Sequence, residues 1–326
     1  MSLTRIMIAG CGQLGSRHLQ ALLRRKRPTE ILVAEPDETA RNRGRVRALE
    51  VEHGASHTIT WLTTAAALGP TDLAIVATTA ERRVEIVEEL LAIGCRRFLL
   101  EKIVCQSEQQ YSALVANLRR HDAKAWVHCP RRYYPLYQAL QSVAADDPFL
   151  SLKVTGGDLG LGCNAIHFVD LFAYLTGRPG PALNGSLLDD AVVPSRRRSG
   201  VVEFSGTITG TADPGHWLDI TFIRNSSINV TLSLVTSRFS AFIDETAGYF
   251  AGSSELLDSI PERAREVRLI PSSELTTVIV DEILESDASL LPSVEDSWPV
   301  HRALFEIFLD CMTRVTGVRA ELCRIT

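Results

Sequence analysis

Several features that would define a class of protein are missing from this chain of 326 residues. No apolar run reaches the roughly 20 residues that a membrane-spanning helix needs. A strand-like run begins almost at once, with no signal-peptide pattern before it, so we expect a cytoplasmic protein without a membrane partner. Basic residues are not in excess, because 34 Lys and Arg stand against 39 Asp and Glu. The net charge of −5 argues against nucleic acid as a partner.

Paired cysteines are missing as well. The seven cysteines are odd in number, and no two of them form a C-x-x-C pair. The pattern argues against a disulfide framework and a zinc site, and it predicts a reducing compartment and no metal. The cysteines are Cys11, Cys95, Cys105, Cys129, Cys163, Cys311 and Cys323.

Glycine, by contrast, forms an informative pattern near the N-terminus. The apolar run 6–9 leads into Gly10, Gly12 and Gly15, and a helical pattern follows. In G-x-G-x-x-G, the first glycine permits the turn after the strand, the second lets the backbone approach a pyrophosphate, and the third lets the helix pack closely. Glu35 lies 20 residues after Gly15, where a carboxylate would bind a ribose diol. The sequence therefore predicts a dinucleotide site.

The charge of Glu35 bears on which dinucleotide binds. A carboxylate there would repel a 2′-phosphate, so NAD is favoured over NADP. A basic stretch keeps NADP as an alternative, although a solvated helix face also explains it: Arg41, Arg43, Arg45 and Arg47. Other cofactor contacts are expected within the glycine pattern and at the carboxyl ends of later strands: Gln13, Leu14, Thr78, Glu101 and Lys102.

The first part of the chain alternates short apolar strands with amphipathic helices. Fully apolar strands are typical of a parallel sheet that is buried on both faces. We therefore predict an α/β protein whose first domain, residues 1–122, is a doubly wound parallel (Rossmann) sheet. The strands are predicted over 6–9, 31–34, 73–77, 98–100 and 125–127, and the helices over 81–93 and 107–120.

The pattern changes in the rest of the chain. Segments 201–211 and 218–243 alternate Val, Ile, Thr and Phe with period two. We predict a second, α+β domain, residues 123–326, with a large and mainly antiparallel sheet that is covered on one face. The other face is expected to form a homo-oligomer. Turn signals lie at 213–215 and 224–226. Helical patterns lie at 165–177 and at about 299–316. We predict that the second of these helices packs back toward the first domain.

Three further motifs occur in an order that resembles a known family. They are Leu99-Leu100-Glu101-Lys102, the run 128–135 and the run 162–171. Together with the glycine pattern, and over nearly the whole chain, they resemble the Gfo/Idh/MocA family of nicotinamide-dependent sugar and polyol oxidoreductases. The resemblance implies hydride transfer between a nicotinamide cofactor and a small-molecule substrate.

The resemblance also implies catalytic residues. Lys102 matches the family's lysine beside the nicotinamide and the reacting hydroxyl, although Ile103 replaces the proline that follows it in the family. His167 and Asp170 match the histidine and the second acid of a family motif, whose first acid is replaced by Cys163. These two departures leave the local turn and part of the proton chemistry open.

Further residues of these motifs are candidates for the substrate side. The arginine pair resembles a family segment that lines the substrate, and guanidinium groups would suit an anionic substrate group. Asn164 is also predicted to cap the helix that carries His167. The substrate-side candidates are Arg131, Arg132, Tyr133, Asn164 and Asp170.

Oxidising a secondary alcohol removes a hydride from carbon and a proton from oxygen. The dinucleotide takes the hydride, and we expect Lys102 and His167 to share the proton. The sequence therefore predicts an NAD-dependent oxidoreductase acting on a sugar, a polyol or a nucleotide-sugar-like molecule. Two alternatives stay open: a reductase of a non-sugar substrate, similar to biliverdin reductase, and a sensor without turnover. Taken alone, a strand-end lysine is more often a solvated charge.

Overall fold

The computed structural model describes residues 3–65, 69–196, 199–213 and 215–325. Its contacts divide the chain into two compact units. Unit 1 consists of Met1–His128 and Ile270–Glu295, and unit 2 of Cys129–Leu269 and Asp296–Thr326.

Unit 1 contains a parallel sheet with helices in the connections. Its elements are β1 (Thr4–Ala9), α1 (Gly15–Leu23), β2 (Thr29–Ala34), α2 (Glu38–Ala48), β3 (Thr58–Leu62), β4 (Leu73–Val76), α3 (Ala80–Ala92), β5 (Arg97–Leu100), α4 (Glu108–Arg120) and β6 (Lys124–Val127). The strand order is β3-β2-β1-β4-β5-β6, and every neighbouring pair is parallel. This order is that of a Rossmann sheet, which binds ligands outside the carboxyl ends of its strands. The predicted fold class is confirmed.

The second stretch of unit 1, Ile270–Glu295, lies outside the predicted first domain. It contains α8 (Ser272–Ser286), which packs on α1. The hydroxyl of Thr277 donates to the carbonyl oxygen of Ala21 at 2.6 Å, across a separation of 256 residues. Sequence patterns are local, and they carry no signal for a helix that returns over such a distance.

Unit 2 contains the second sheet. Its elements are α5 (Pro135–Ala144), β7 (Leu150–Gly156), α6 (Leu161–Thr176), β8 (Ala182–Leu188), β9 (Val193–Pro194), β10 (Val202–Glu203), β11 (Gly206–Ala212), β12 (His216–Phe222), β13 (Thr231–Thr236), β14 (Ser240–Asp244), β15 (Tyr249–Gly252), α7 (Ser254–Ser259) and most of α9 (Val294–Thr316). The large sheet has the order β15-β14-β13-β7-β12-β11-β8. The prediction of a mainly antiparallel sheet is confirmed, with the difference that β7 and β12 pair in parallel.

The side chains of the large sheet alternate between a buried and an open face. On β12, Leu218, Ile220 and Phe222 are buried, and α6 packs against this strand. Trp217 and Asp219 alternate with them and are on the opposite face. Period-two burial of this kind is what the alternating sequence pattern predicts.

Two helices begin earlier than the sequence indicates. The helix α6 starts at Leu161, its N-cap residue is Gly160, and the prediction that Asn164 caps it is wrong. The Nδ2 group of Asn164 instead donates to the carbonyl oxygen of Leu159 at 2.7 Å. The helix α9 starts at Val294. No helix among the described residues combines the length and apolar character needed to cross a membrane.

The two predicted turns of unit 2 have different outcomes. Asn225 has a φ of 58°, so the chain does turn at 224–226. At 213–215, Pro214 lies outside the described residues.

Candidate functional site

The glycine pattern forms a tight turn between β1 and α1. Gly10 has a φ of +88°, and a Cβ there would lie 2.9 Å from the backbone nitrogen of Thr78. A Cβ on Gly15 would lie 1.8 Å from the carbonyl oxygen of Gly10. A Cβ on Gly12 would meet no described atom within 4 Å. The turn and the helix thus require glycine at two positions, and the middle glycine faces the open space that a pyrophosphate would need.

Thr78 follows the neighbouring strand β4 and lies against this turn. Its buried hydroxyl has no hydrogen-bond partner among the described residues. A buried hydroxyl without a partner is costly, and water or a ligand usually completes it. The open space at Gly12 and the hydroxyl of Thr78 therefore fit a dinucleotide, as the sequence predicts.

Glu35 lies at the end of β2, directly beside the glycine turn. One carboxylate oxygen accepts a hydrogen bond from the backbone N–H of Cys11 at 2.7 Å, and the other accepts from the N–H of Asp37 at 3.0 Å. Burial, together with the charge of Glu35, raises the pKa of the Cys11 thiol to about 12. The carboxylate is thus held next to the turn, where a ribose diol would be recognised.

The four arginines of α2 do not form a uniformly solvated face. Arg43 and Arg45 are exposed. Arg41 donates to the carbonyl oxygen of Glu35 at 2.6 Å, and Arg47 donates to that of Gln13 at 3.0 Å. Arg41 and Arg47 are half-buried and bind the backbone around the turn, whereas Arg43 and Arg45 fit the interpretation as a solvated helix face. Two of the predicted cofactor contacts, Gln13 and Leu14, are exposed at the turn itself.

Lys102 follows β5 at the carboxyl edge of the same sheet. Its residue is 9% exposed, whereas the other three lysines of the chain, Lys26, Lys124 and Lys153, are exposed. The alternative that Lys102 is only a solvent-exposed charge at the end of a strand is therefore wrong. The peptide bond between Lys102 and Ile103 is cis. An amine at this edge can donate or accept a proton at a reacting group of a bound ligand.

Glu101 points away from the solvent rather than toward an open cofactor site. It is 3% exposed, and its Oε1 lies 2.9 Å from Nε2 of His18 and 2.9 Å from Nδ1 of His128. The sequence motifs single out neither histidine as a partner of Glu101. The pairing could not be found from the sequence, because the three residues come from separate parts of the chain.

His167 lies on α6 of unit 2 and is half-buried. Cys163, which replaces the family's first acid, lies one helical turn before it. The backbone N–H of Cys163 donates to Oε2 of Glu203 on β10 at 3.2 Å. A Cβ on Gly160 would lie 2.3 Å from that same oxygen, so the glycine makes room for the carboxylate. An acid is therefore present at this helix start, but it comes from a strand and sequence reasoning missed it.

The predicted arginine pair is already neutralised by carboxylates. Arg131 forms a two-pronged ion pair with Glu245 at 2.6 and 2.8 Å. Arg132 forms a similar pair with Asp170 at 2.7 and 3.0 Å. Bidentate pairs of this kind use the same donors that an anionic substrate group would need. The geometry therefore gives no support to the expectation that these arginines bind an anion, and Tyr133 beside them is buried.

The pair of Arg132 and Asp170 gives a stability prediction. Asp170 is 1% exposed, so Arg132→Ala leaves a buried carboxylate without its partner, which costs about 3–5 kcal/mol of unfolding free energy near neutral pH. Burial raises the pKa of Asp170 in spite of Arg132. A raised folded-state pKa favours the native state at low pH and disfavours it as the pH rises, so the deficit should shrink on acidification.

Urea unfolding of the Arg132→Ala variant at pH 7 and pH 5 tests this prediction. The matched control is Arg196→Ala, because Arg196 is 80% exposed in its pair with Asp158 and should cost at most about 1 kcal/mol. Equal losses in the two variants would contradict a buried ion pair.

Unit 2 also contains a polar cavity of about 460 Å³ near the start of α6. Carboxylates, hydroxyls and an amide line it, together with two exposed arginines that do not belong to the predicted pair. These groups suit a ligand with many hydroxyls, which both donate and accept hydrogen bonds. The polar lining includes Asp158, Ser195, Arg196, Glu203, Ser205, Arg224 and Asn225.

Known proteins resemble this chain in the sequence of its first part and in its fold. Residues 4–129 match the GFO_IDH_MocA model, an oxidoreductase family with an NAD-binding Rossmann fold. An oxidoreductase from Agrobacterium radiobacter, solved with NAD+, L-tartaric acid and magnesium, has a TM-score of 0.68 at 15% identity, with 98% of each chain covered. A putative myo-inositol dehydrogenase from Sinorhizobium meliloti 1021 has a TM-score of 0.66 at 14% identity, covering 96% of this chain and 98% of its own.

A third structure carries a nucleotide sugar. The WlbA dehydrogenase from Bordetella pertussis, in complex with NADH and UDP-GlcNAcA, has a TM-score of 0.64 at 14% identity, covering 97% of this chain and 98% of its own. No curated protein matches the chain in sequence.

At these identities the solved structures show a common fold, and the sequence match to the family covers residues 4–129. The matched residues include the glycine turn, Glu35 and Lys102. The predicted resemblance is thus supported for this part of the chain: residues 4–129 match the Gfo/Idh/MocA family of oxidoreductases, with an NAD-binding Rossmann fold.

Proposed function

We propose that the protein transfers a hydride between NAD and a secondary hydroxyl or carbonyl of a sugar, a polyol or a nucleotide-sugar-like molecule. The observation that carries the proposal is the buried Lys102 at the same sheet edge as the glycine turn and Glu35. Ligands of a Rossmann sheet bind along this edge. A buried amine there is placed to handle the proton of a reacting hydroxyl.

The cofactor would be held by the glycine turn, by Glu35 and by Thr78. When bound, NAD supplies the hydride acceptor. The chain itself must move the proton, and we assign this task to Lys102, with His167 as a second acid–base group whose ordinary pKa lies near neutrality. The ammonium of Lys102 would also polarise the carbonyl in the reverse direction.

A polyhydroxylated substrate fits the polar groups of unit 2 better than an anion that relies on Arg131 and Arg132. Both of these guanidinium groups are held in ion pairs. The cavity at the start of α6 offers the carboxylates of Asp158 and Glu203 as hydrogen-bond acceptors. Substrate preference is tested with a panel of neutral sugars and polyols, aldonic and uronic acids and nucleotide sugars, followed by the absorbance of the reduced cofactor.

Cofactor binding is the first experiment. Calorimetry of the purified protein should show that NAD+ binds more tightly than NADP+. Glu35→Ala should raise the dissociation constant of NAD+ about tenfold, equivalent to about 1.4 kcal/mol of binding free energy. Glu30→Ala is the matched control, because Glu30 lies at the opposite end of β2 and pairs with Arg5. Tighter binding of NADP+ would contradict the role of Glu35, and no binding of either cofactor would contradict the proposed function.

We also propose that a second copy of this chain covers the open face of the large sheet. Trp217 is 57% and Phe242 is 42% exposed on this face. Lys153 and Asp219 are register partners on the same face, so it offers charges of both signs to an identical surface. An isologous dimer needs a self-complementary patch of this kind.

Phe242→Asp is expected to dissociate this oligomer, because it places a charge in an apolar contact, and the dissociation constant should rise at least about tenfold. Light scattering across a dilution series measures the change. Leu49→Asp is the control, since Leu49 is 88% exposed and belongs to unit 1 rather than to the large sheet. A wild-type protein that is already monomeric would contradict the proposal.

A further inference from the structure

Three buried side chains meet at the carboxyl edge of the unit 1 sheet. His18 comes from α1, Glu101 follows β5, and His128 follows β6. Each of the three side chains is at most 4% exposed. Both histidines approach the same carboxylate oxygen, Oε1, at 2.9 Å. We call this group the His18–Glu101–His128 cluster.

Burial and hydrogen bonding shift the pKa values of His18 and Glu101. Burial lowers the pKa of His18, so its ring is neutral. Burial would raise the pKa of Glu101, but its electrostatic interaction with His128 and its hydrogen bonds to both histidines hold the pKa well below its usual range. Nδ1 of His18 lies 2.7 Å from the hydroxyl of Thr276 and Nε2 lies 2.9 Å from the carboxylate, so both ring nitrogens have a polar partner. Hydrogen bonds to one carboxylate oxygen thus connect the three side chains.

The cluster fixes the residue that precedes Lys102. The backbone N–H of Glu101 donates to the carbonyl oxygen of Val76 at 3.1 Å, and its side chain is held from two sides. The residue that follows Lys102 is also fixed, because the buried guanidinium of Arg83 donates to the carbonyl oxygen of Ile103. Lys102 therefore lies between two residues whose positions are set by buried polar contacts.

We propose that the His18–Glu101–His128 cluster positions Lys102 for proton transfer. The histidines do not touch the substrate in this scheme; they hold Glu101, and Glu101 sets the backbone from which the amine of Lys102 projects. The inference rests on the proposed function, because it takes Lys102 as the proton-transferring group. A shift of about 1 Å in such a group can cost about 100-fold in rate.

The decisive variants replace His128. His128→Leu removes one donor from the buried carboxylate and should lower kcat by about 100-fold, while KM and NAD+ affinity stay within about threefold. His128→Asn should recover most of this loss, because the amide N–H of asparagine can reach the place of Nδ1–H. His18→Leu and His18→Gln form a second pair with the same expected loss and recovery, because the amide N–H of glutamine can replace Nε2–H. This pair tests the proposal if His128→Leu does not fold.

A matched control separates positioning from the loss of any buried imidazole. His216 is buried in unit 2 and lies outside the cluster, so His216→Leu should cause no specific loss of kcat. A loss of kcat in His128→Leu no larger than in His216→Leu would overturn the proposal. So would a His128→Asn variant that is no more active than His128→Leu.

A second readout does not depend on turnover. The chain has only four lysines, Lys26, Lys102, Lys124 and Lys153, so reductive methylation followed by mass spectrometry can report Lys102 against three exposed references. We expect slow labelling of Lys102 in the wild type and in His128→Asn, and labelling at least about fivefold faster in His128→Leu. Unchanged labelling would overturn the positioning role even if no substrate is turned over, whereas lack of turnover with altered labelling would contradict only the proposed function.

Discussion

Replacing Lys102 by methionine is expected to abolish turnover while the protein stays folded and binds NAD+. Methionine keeps an unbranched chain of similar length, so the packing around this buried residue is largely preserved, but the group that moves the proton is lost. Removing a general acid–base group typically lowers the rate by about 100- to 10,000-fold. The expected result is a fall in kcat of that size, with the dissociation constant of NAD+ within about threefold of the wild type.

Steady-state kinetics on the substrate found in the screen, together with calorimetry, measure both quantities. Lys124→Met is the matched control, because Lys124 is an exposed lysine that forms a surface ion pair with Asp287. Activity of Lys102→Met within threefold of Lys124→Met would remove the catalytic assignment, and the sensor alternative would then gain support.

The glycine turn offers a pair of substitutions with opposite expected effects. Gly15→Ala should destabilise the protein by about 3 kcal/mol or more, because its Cβ would lie 1.8 Å from the carbonyl oxygen of Gly10 and the helix would have to move. Gly12→Ala should leave the stability nearly unchanged, because its Cβ meets no described atom within 4 Å. The same methyl group would occupy the space of the pyrophosphate, so we expect NAD+ affinity to fall at least about tenfold.

Urea unfolding and calorimetry on both variants separate the two effects. The matched control is Gly215→Ala, because Gly215 lies in unit 2 and a Cβ there would meet only the carbonyl oxygen of Pro148, at 3.5 Å. Gly69→Ala is unsuitable, because Gly69 has a positive φ of 78°. A Gly12→Ala variant that binds NAD+ like the wild type would place the cofactor elsewhere. A Gly15→Ala variant with wild-type stability would contradict the close contact between α1 and the turn.

The parts of the fold that the sequence predicted are those whose cause is local. A strand, a turn that needs glycine and a helix follow one another between residues 4 and 23, and the residues that specify them are the residues that form them. The start of α4 is local in the same way, since Ser107 accepts a hydrogen bond from the backbone N–H of Gln110. Such caps are readable from the sequence because the capping side chain is adjacent to the helix.

The parts that the sequence did not predict depend on partners that are distant along the chain. The start of α6 was misplaced because Glu203, 40 residues away, accepts a hydrogen bond from the N–H of Cys163. The ion pair of Arg131 was not predicted, because nothing near this arginine in the sequence shows that Glu245, 114 residues away, lies beside it. Residue type indicates what a side chain can bind, but only the fold determines what it does bind.

Unit 1 is built from two segments that are far apart in the sequence, and this has a consequence for folding during synthesis. The segment Ile270–Glu295 completes this unit, yet it emerges from the ribosome only after the whole intervening stretch of unit 2 has been made. At about 5–20 residues per second this delay lasts roughly 10–30 seconds, during which the surface of α1 that α8 later covers is without its native neighbour. The nucleotide-binding unit therefore reaches its native packing late, and a shortened chain that ended with the family match at residue 129 would lack the helix that closes it.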